Sequence, residues 1–352
     1  MKAAVWYGRR DVRIEERAEP EALPGHVVVR VAWAGICGTD RHEYLGPNFI
    51  PLTKPHRLTG CTAPLILGHE FTGLIHKIGQ GLGSSWRIGD RVTANGTLCC
   101  GTCAMCRSGQ YNICEKLGFT GVSRDGAFAE YVAVEAERLF RVPDALTLRQ
   151  AVLAEPLACG IHAVRLLGGL QGKDAVIIGP GIIGLSCFFA AKRSGARRLL
   201  AAGIAGPRRG LVEAQGGWYC DCEQEDLGQA ARACFGGLAD AVFECAGSQA
   251  ALNSAAAVLK GGGDLMVMGV YEQPPVFPMN GFQEGERRLF TSQAHQDEIG
   301  AALDYLKSGD LDPDALITGE VTLDTLVDQG FEELAANAGK HIKIVIRIGG
   351  DL

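Results

Sequence analysis

A glycine-rich turn between an apolar strand and a helix constrains the fold of this chain more than any other feature. Residues 176–184 read Val-Ile-Ile-Gly-Pro-Gly-Ile-Ile-Gly, which is the pattern G-x-G-x-x-G. In such a turn the first glycine permits the tight bend, the second lets a pyrophosphate approach the backbone, and the third lets the helix pack closely on the strand. The helix N-terminus then faces the phosphates. The sequence therefore predicts a dinucleotide-binding loop formed by Gly179, Pro180, Gly181, Ile182, Ile183 and Gly184.

Strands and helices alternate around this turn. Apolar runs predict strands at Ala175–Gly179, Arg198–Ala202, Ala239–Glu244 and Asp264–Gly269. Helical patterns lie between them, at Ile182–Lys192 and Gln249–Leu259. This alternation is typical of a parallel sheet that is covered by helices.

The chain on either side of this region has a different character. Up to about residue 155 it reads mostly as short strands bounded by turns, at Lys2–Tyr7, Val27–Ala34, Phe71–Ile78 and Arg91–Ala94. The tail mixes helices with a final strand, at Glu298–Lys307, Leu323–Ala336 and His341–Ile348. We therefore expect one domain to be inserted into another, with the tail rejoining the first.

The bulk properties exclude several functions. A chain of 352 residues with a net charge of -6 has no basic field for nucleic acid or anionic lipid. No apolar run reaches the roughly 18 residues of a membrane span, and the N-terminus lacks a signal peptide's apolar stretch. We therefore expect a cytoplasmic protein without nucleic-acid or membrane partners, in which the 13 cysteines are metal ligands and reduced thiols.

Four cysteines between residues 100 and 114 have the spacing C-x2-C-x2-C-x7-C. Zn²⁺ prefers four soft ligands in a tetrahedron, and a closed site with four sulfurs is structural rather than catalytic. The alternative is a set of free thiols or disulfides, which the spacing and compartment disfavour. The sequence predicts a structural zinc site at Cys100, Cys103, Cys106 and Cys114, with the adjoining Cys99 as a spectator.

A second, mixed set of metal-binding side chains is spread along the chain. It offers one sulfur, one imidazole and two carboxylates, from Cys37, His69, Glu70 and Glu155. Such a set suits a catalytic zinc with an exchangeable position, which as a Lewis acid lowers the pKa of a bound alcohol. Each residue alone reads as a buried small hydrophobe, a core histidine or a surface carboxylate. Their occurrence together with the glycine-rich turn favours the metal site.

The sequence leaves open whether the nicotinamide cofactor is NAD(H) or NADP(H). The second strand of the alternating region runs into Gly203, where an acidic residue would normally bind the ribose hydroxyls. Without that carboxylate a 2′-phosphate is not repelled, and Arg208 and Arg209 follow shortly afterwards. These arginines are also consistent with solvated helix residues.

Several stretches carry a resemblance to a known family. They include the first eight residues, His42–Pro51, Leu67–Phe71, Asp312–Thr318 and Gly330–Leu334. Together with the metal motifs, they make the whole chain resemble the zinc-containing medium-chain dehydrogenases/reductases. Within that family it is most similar to the 2,3-butanediol dehydrogenases, also called acetoin or diacetyl reductases.

The resemblance implies an architecture of class α/β plus β. A GroES-like catalytic domain at 1–156, with a structural zinc lobe at about 95–116, would carry an inserted Rossmann domain at 157–293. This domain would have a doubly wound parallel sheet, and 294–352 would return to the catalytic domain. The active site would lie in the cleft between the domains, and a homodimer or homotetramer would form through the cofactor-domain sheets.

The resemblance also implies roles for individual residues. It places around the catalytic zinc Cys37, His69 and Glu70, with Glu155 as a further or alternating ligand. Thr39 would contact the substrate hydroxyl and His42 would carry its proton towards solvent by way of the nicotinamide ribose. Asp40 would orient His69.

The activity implied is hydride transfer between NAD(P) and a secondary alcohol or ketone, such as a vicinal diol or hydroxyketone of the butanediol/acetoin type. A polyol (sorbitol-like) or L-threonine 3-dehydrogenase is the alternative, because these enzymes share the framework. A catalytically silent cofactor-binding homologue and a zinc-free quinone reductase are disfavoured by the complete ligand set. Arg57 stands where the subfamily often has proline, so we expect a shift in substrate preference there.

Overall fold

The computed structural model describes residues 1–47, 49–204 and 206–350. Asn48, within one of the stretches that carry the resemblance, lies outside the described residues. The chain forms two compact units, one comprising Met1–Glu155 and Ile299–Leu352 and the other Pro156–Glu298.

The strands and helices are as follows, in chain order. The strands are β1 Lys2–Gly8, β2 Asp11–Glu16, β3 His26–Gly35, β4 Leu65–Ile66, β5 Glu70–Ile78, β6 Arg91–Ala94, β7 Thr97–Leu98, β8 Gly118–Phe119, β9 Tyr131–Glu135, β10 Leu139–Arg141, β11 Asp174–Ile178, β12 Arg198–Gly203, β13 Trp218–Asp221, β14 Ala239–Glu244, β15 Leu259–Val267, β16 Arg288–Thr291, β17 Ile317–Thr322 and β18 Lys343–Arg347. The helices are α1 Gly38–Leu45, α2 Ala104–Arg107, α3 Leu148–Ala151, α4 Ala154–Leu166, α5 Ile182–Arg193, α6 Pro207–Ala214, α7 Leu227–Phe235, α8 Gln249–Val258, α9 Met279–Glu284, α10 Ile299–Leu306 and α11 Glu333–Asn337.

The first unit is built on a mixed sheet. Its strands follow the order β10-β6-β5-β3-β18-β17, and β9 also pairs with β3. The alternating valines of β3 are buried, and they pack with Trp6, Phe71 and Phe128 in one hydrophobic core. The last strand, β18, pairs antiparallel with β3 and parallel with β17. The C-terminal part of the sequence thereby joins the sheet that carries the first half.

The second unit contains a six-stranded parallel sheet in the order β13-β12-β11-β14-β15-β16. This is the doubly wound order, in which the chain reverses direction across the sheet beside β11. Strands β11, β12 and β14 are almost entirely buried, as expected of strands that helices cover on both faces. The α/β plus β fold class predicted from the sequence is confirmed.

Most of the predicted elements are present, with shifted ends. Gly179 lies outside β11, because its φ of +82° belongs to the turn and not to a strand. The predicted helix Leu323–Ala336 is not one regular helix: a 3₁₀ turn leads into a π-helix at Leu326–Glu332 and then into α11. Strand β17, which sequence reasoning missed, continues the sheet beyond β18.

Candidate active site

Two neighbouring strands and a helix bring Cys37, His69 and Glu70 together in the first unit. Cys37 follows β3 and is the N-cap residue of α1, while His69 and Glu70 stand where β5 begins. Because β3 and β5 pair antiparallel, Gly35 lies opposite Glu70. A side chain at Gly35 would collide with Glu70 Oε2, so the glycine makes room for this carboxylate.

The ligand atoms of these three residues lie within 4.8 Å of one another. One thiol sulfur, one imidazole nitrogen and one carboxylate oxygen form a donor set that zinc accepts. His69 and Glu70 are buried, and His69 Nδ1 has no hydrogen-bond partner within the described part of the chain. That nitrogen lies 3.8 Å from Asp40 Oδ1, which is also unpartnered among the described residues, so the fit to a cation rests on the donor set itself.

Asp40 lies beside this cluster, close to Cys37 and His69. Its Oδ2 accepts a hydrogen bond of 2.9 Å from the Cys37 backbone N–H, and its Oδ1 lies 3.8 Å from His69 Nδ1. Burial raises the pKa of Asp40 to about 6, although His69 opposes the change. The contact to His69 is longer than a hydrogen bond, so the expected orienting role of Asp40 stays a prediction.

The groups around His69 favour the positively charged form of its imidazole. Burial alone would lower the pKa of the imidazole, but the neighbouring Cys37 and Asp40 outweigh it and raise the pKa well above its ordinary value. Negative groups concentrated in a buried place require compensation by a cation. The ammonium of Lys343, buried against Glu70, supplies part of this compensation, and a divalent metal ion would supply the rest.

Lys343 is a member of this site that sequence reasoning missed. Its Nζ donates to Glu70 Oε1 at 2.8 Å and to Oε2 at 2.7 Å, and also to the Ile36 carbonyl at 3.0 Å. Burial alone would lower the pKa of this lysine, but Glu70 and Cys37 outweigh it and raise the pKa. No signal in the sequence marks it, because the alternation of residues 341–348 places Lys343 on the polar face with His341 and Arg347, whereas the structure buries it.

Thr39 and His42 lie on helix α1, three residues apart and therefore on one face. The helix is fixed against the C-terminal segment of the same unit. The Tyr44 hydroxyl donates to Glu332 at 2.5 Å, the Tyr44 ring stacks on Phe331, and Arg41 Nε donates to the Leu334 carbonyl. The π-helix at Leu326–Glu332 lies in this support, and π-helical turns are frequent at functional sites.

Glu155 stands apart from the three clustered residues. It lies in the first turn of α4, half-buried, and is not one of the groups whose ligand atoms lie within 4.8 Å of one another. Its charge nevertheless contributes to raising the pKa of both His69 and Lys343. It is therefore near enough to act electrostatically on the site.

The four predicted structural ligands form a separate cluster in the first unit. The sulfurs of Cys100, Cys103, Cys106 and Cys114 all lie within 4.8 Å of one another. Two sulfur pairs are 4.0 and 3.9 Å apart, and all the described cysteines are free thiols. Because a disulfide needs about 2.05 Å between sulfurs, the disulfide alternative has no support here.

Backbone amides point at these sulfurs. The N–H groups of Cys103 and Cys106 donate to the sulfurs of Cys100 and Cys103, at 3.3 and 3.4 Å. Amide and hydroxyl donors, chiefly from Thr102, lower the pKa of Cys100 to about 6. Amide donors also lower the pKa of Cys103, so these two sulfurs favour the thiolate, the form in which cysteine binds zinc. Burial raises the pKa of Cys106 and Cys114.

Arg57 contacts this lobe. Its guanidinium donates to the Glu115 carbonyl at 2.6 Å, and the neighbouring His56 makes a bond of 2.9 Å with the Leu117 carbonyl. Arg57 thus ties its loop to the chain beside Cys114. Its expected effect on substrate preference stays a prediction, and any such effect would have to act through this loop.

The glycine-rich loop connects β11 with α5 in the second unit, as the motif requires. A side chain at Gly184 would collide with the Gly179 carbonyl, and one at Gly179 would lie 2.8 Å from Ala246 Cβ. Both glycines are therefore fixed by packing. At Gly181 an added Cβ would meet no described atom within 4 Å, which fits a backbone that a pyrophosphate approaches. Pro180, Ile182 and Ile183 complete the loop.

Gly203 ends β12 and is packed against this loop. An added Cβ would lie 2.6 Å from Pro180 Cδ, so an acidic residue here requires the proline ring to shift. Arg208 stands in the first turn of α6, and burial lowers the pKa of its guanidinium. Arg209 is bound to Glu213 at 3.0 Å.

Within the part of the chain that the structure describes, no helix is both long and apolar enough to cross a membrane.

Comparison with known proteins identifies the family. The alcohol dehydrogenase GroES-like domain matches residues 23–144, and the zinc-binding dehydrogenase domain matches residues 183–308. The (R,R)-butanediol dehydrogenase of Bacillus subtilis is 35% identical over 351 residues, covering 99% of both chains. The crystal structure of the 2R,3R-butanediol dehydrogenase from B. subtilis superposes with a TM-score of 0.89 over 98% of this chain and 99% of that one.

Two further relatives are informative. The sorbitol dehydrogenase of B. subtilis is 30% identical over 336 residues, covering 93% of this chain and 92% of that protein. A protein of Sinorhizobium meliloti that was solved with bound NADP is 28% identical with a TM-score of 0.85, and 98% of each chain is covered. The chain therefore belongs to the zinc-containing medium-chain alcohol dehydrogenases and is an oxidoreductase that uses zinc and a nicotinamide cofactor.

Proposed function

We propose that the protein interconverts a vicinal diol and its hydroxyketone, of the 2,3-butanediol/acetoin type, with a nicotinamide cofactor. The observation that carries the proposal is the cluster of half-buried Cys37 with buried His69 and Glu70, in a chain that also has the glycine-rich loop. The substrate class rests on the 35% identity with the B. subtilis butanediol dehydrogenase over the whole chain.

In this proposal Cys37, His69 and Glu70 hold a catalytic zinc, and Cys100, Cys103, Cys106 and Cys114 hold a structural one. When bound, the catalytic zinc supplies a Lewis acid that stabilises negative charge on the substrate oxygen. The half-buried Glu155 contributes a further negative charge to the same place.

Thr39 and His42 move the substrate proton. The Thr39 hydroxyl accepts it from the substrate hydroxyl while passing on its own, and the imidazole of His42, one turn further along α1, accepts that proton and releases it to solvent. The fixed position of α1 against Tyr44's partner Glu332 keeps this pair in place. The loop Gly179–Gly184 binds the cofactor pyrophosphate at the N-terminus of α5.

We further propose that the cofactor site accepts NADP(H). Gly203 offers no carboxylate to repel a 2′-phosphate, and Arg208 supplies positive charge in the first turn of the next helix. The related S. meliloti protein with bound NADP shows that members of this family take that cofactor.

The experiment follows nicotinamide absorbance with purified protein, 2,3-butanediol and either NAD⁺ or NADP⁺. We expect turnover with NADP⁺, and loss of turnover in a folded His69→Ala variant. Turnover with sorbitol or L-threonine but not with butanediol would move the substrate to the alternative class, which the sorbitol dehydrogenase relative represents. No turnover with any of these, in a protein without bound zinc, would leave a silent cofactor-binding homologue.

We also propose that the protein is a homodimer or homotetramer that associates through the edge of its parallel sheet. Strand β16 ends that sheet, and among the described strands it pairs only with β15. Leu289 on this strand is 47% exposed, and Val276 and Met279 in the preceding segment are 77% and 64% exposed. An unprotected edge beside exposed apolar side chains is typical of a surface that pairs with another chain.

A further inference from the structure

A buried ion pair links the last strand of the first unit to the metal-binding cluster. The side chains of Lys343 and Glu70 are each 1% exposed. Two of the three Lys343 donors engage both Glu70 oxygens, and the third is bound to the carbonyl of Ile36, the residue before Cys37. Lys343 is thus fixed by the same strand end that presents Cys37.

This pair is poorly explained as a contribution to stability. Desolvation of two charges consumes most of what their attraction provides, and an apolar pair of similar volume usually serves a core as well. Glu70, however, also presents an oxygen to Cys37 and His69 within 4.8 Å. The same carboxylate therefore binds an ammonium group through both oxygens and also offers an oxygen to the proposed zinc site.

We propose that Lys343 is a positioning residue that shares Glu70 with the catalytic zinc, lowers the affinity of the site for that zinc, and keeps Glu70 an exchangeable ligand. The inference rests on the zinc site in the proposed function. An exchangeable ligand leaves a coordination position for substrate, which a catalytic zinc needs and a structural zinc does not.

The direction of the effect follows from the charges. Without the Lys343 ammonium, the metal-free protein contains an uncompensated buried carboxylate, whereas the zinc-bound protein does not. Removing Lys343 therefore destabilises the metal-free state more than the zinc-bound state. Since ligand affinity depends on that difference, the variant should bind zinc more tightly, by about tenfold or more. Because Glu70 then stays on the metal, kcat should fall.

The experiment measures zinc affinity in the full-length protein by equilibrium competition with a chelator of known affinity. The variants are Lys343→Met and, in case the first does not fold, Lys343→Gln, which keeps a hydrogen-bond donor but no charge. Lys77→Met is the matched control, because Lys77 lies on the same strand as Glu70 but is 49% exposed and paired with Glu19. A Cys37→Ser variant identifies which of the bound zinc ions belongs to this site.

The proposal expects tighter zinc binding and lower kcat in Lys343→Met or Lys343→Gln, with Lys77→Met unchanged. It also expects a clearly smaller effect of Lys343→Met on zinc affinity in a Glu70→Gln background, since only the direct repulsion between the ammonium and the zinc remains there. Unchanged or weaker zinc binding, or an effect of full size in that background, would overturn it. Failure of the wild-type protein to hold a zinc that depends on Cys37 would instead contradict the proposed function.

Discussion

Asp174 begins strand β11 and is the acceptor for two arginines of the second unit. Arg197 Nε donates to its Oδ1 at 2.9 Å and Arg198 Nη2 to its Oδ2 at 2.6 Å. Burial alone would raise the pKa of this carboxyl, but the two guanidinium groups outweigh it and lower the pKa to about 2. A carboxyl whose pKa is depressed in the folded state stabilises the fold above its ordinary pKa.

We therefore expect Asp174→Asn to lower the free energy of unfolding by about 1 to 2 kcal/mol at pH 7. The difference from the wild-type protein should be constant above about pH 5. It should shrink as the pH falls from about 4 to about 2, where the wild-type carboxyl takes up its proton. Urea unfolding at a series of pH values measures it. A difference that grows towards low pH would contradict the assignment.

Gly203 and Pro180 constrain each other. Because a Cβ at position 203 would lie 2.6 Å from the proline ring, Gly203→Asp should destabilise the protein by about 1 to 3 kcal/mol and weaken cofactor binding. Pro180→Ala together with Gly203→Asp removes the clash while keeping the new carboxylate. We expect this double variant to recover stability and to favour NAD⁺ over NADP⁺.

The measurement is a double-mutant cycle of thermal stability and of kcat/KM with each cofactor. Pro180→Ala alone is the control, and it should leave the cofactor preference unchanged. Additive effects of the two substitutions on stability would show that the ring and the added side chain do not interfere.

Spacing alone could predict residues of the site only where they stand close together in the sequence. The four cysteines of the zinc lobe lie within 15 positions, so their spacing alone predicted a cluster. Lys343 is separated from Glu70 by 273 positions, and no local pattern relates them. Only the antiparallel pairing of β18 with β3 brings the lysine there. The same holds for Pro180 and Gly203, whose contact exists only once β11 and β12 are paired.

At the scale of elements, periodicity predicted strands and helices where one face or the whole element is buried. Strand β14 has the bounds that were predicted, and α5 is longer by one residue. The helix type in the C-terminal region was harder to predict, because the apolar spacing at Leu326 and Phe331 fits a helix but does not distinguish α- from π-helical hydrogen bonding. Short strands such as β16, whose residues are largely exposed, carry no alternation and were missed.

The zinc lobe, at about residues 95–116, is the element for which we expect a metal to matter most. Its only helices are a single α-helical turn at Ala104–Arg107 and a 3₁₀ turn at Tyr111–Ile113, and Ala104–Arg107 contains no fully buried residue. We expect Cys114→Ser to release one zinc per chain and to make this lobe sensitive to proteolysis, because metal binding replaces a hydrophobic core there. Cys99→Ser, next to the cluster but outside it, is the control and should retain the zinc.

Elemental analysis and limited proteolysis of the two variants check this prediction. A Cys114→Ser protein that keeps its full zinc content and its resistance to protease would mean that these thiols do not hold a metal. Activity should be affected less than zinc content, since none of the four cysteines belongs to the cluster of Cys37 and His69.

At the scale of the whole molecule, the fold class followed from two local patterns and from the resemblance. The order of strands in the mixed sheet did not follow from either, because it depends on pairings such as β3 with β18, between opposite ends of the chain. Association between chains is even harder to predict from the sequence, because the sequence contains no pattern that marks an edge strand.

The edge strand β16 makes a prediction about assembly. If chains associate through it, a charge on its exposed face should separate them, since charged side chains on edge strands oppose pairing. We expect Leu289→Arg to shift the protein towards the monomer in sedimentation velocity, with the second unit still folded because Leu289 is 47% exposed. Leu23→Arg, at a leucine of the first unit that is 54% exposed, is the matched control and should leave the assembly unchanged. A wild-type protein that is monomeric at all concentrations would show that this interface does not exist. A Leu289→Arg variant that remains a dimer or tetramer, as the wild-type protein does, would place the interface elsewhere. Because neither the zinc ligands nor the glycine-rich loop involves this strand, a Leu289→Arg monomer that still binds nicotinamide cofactor would show that assembly and the cofactor site are separate properties of the fold.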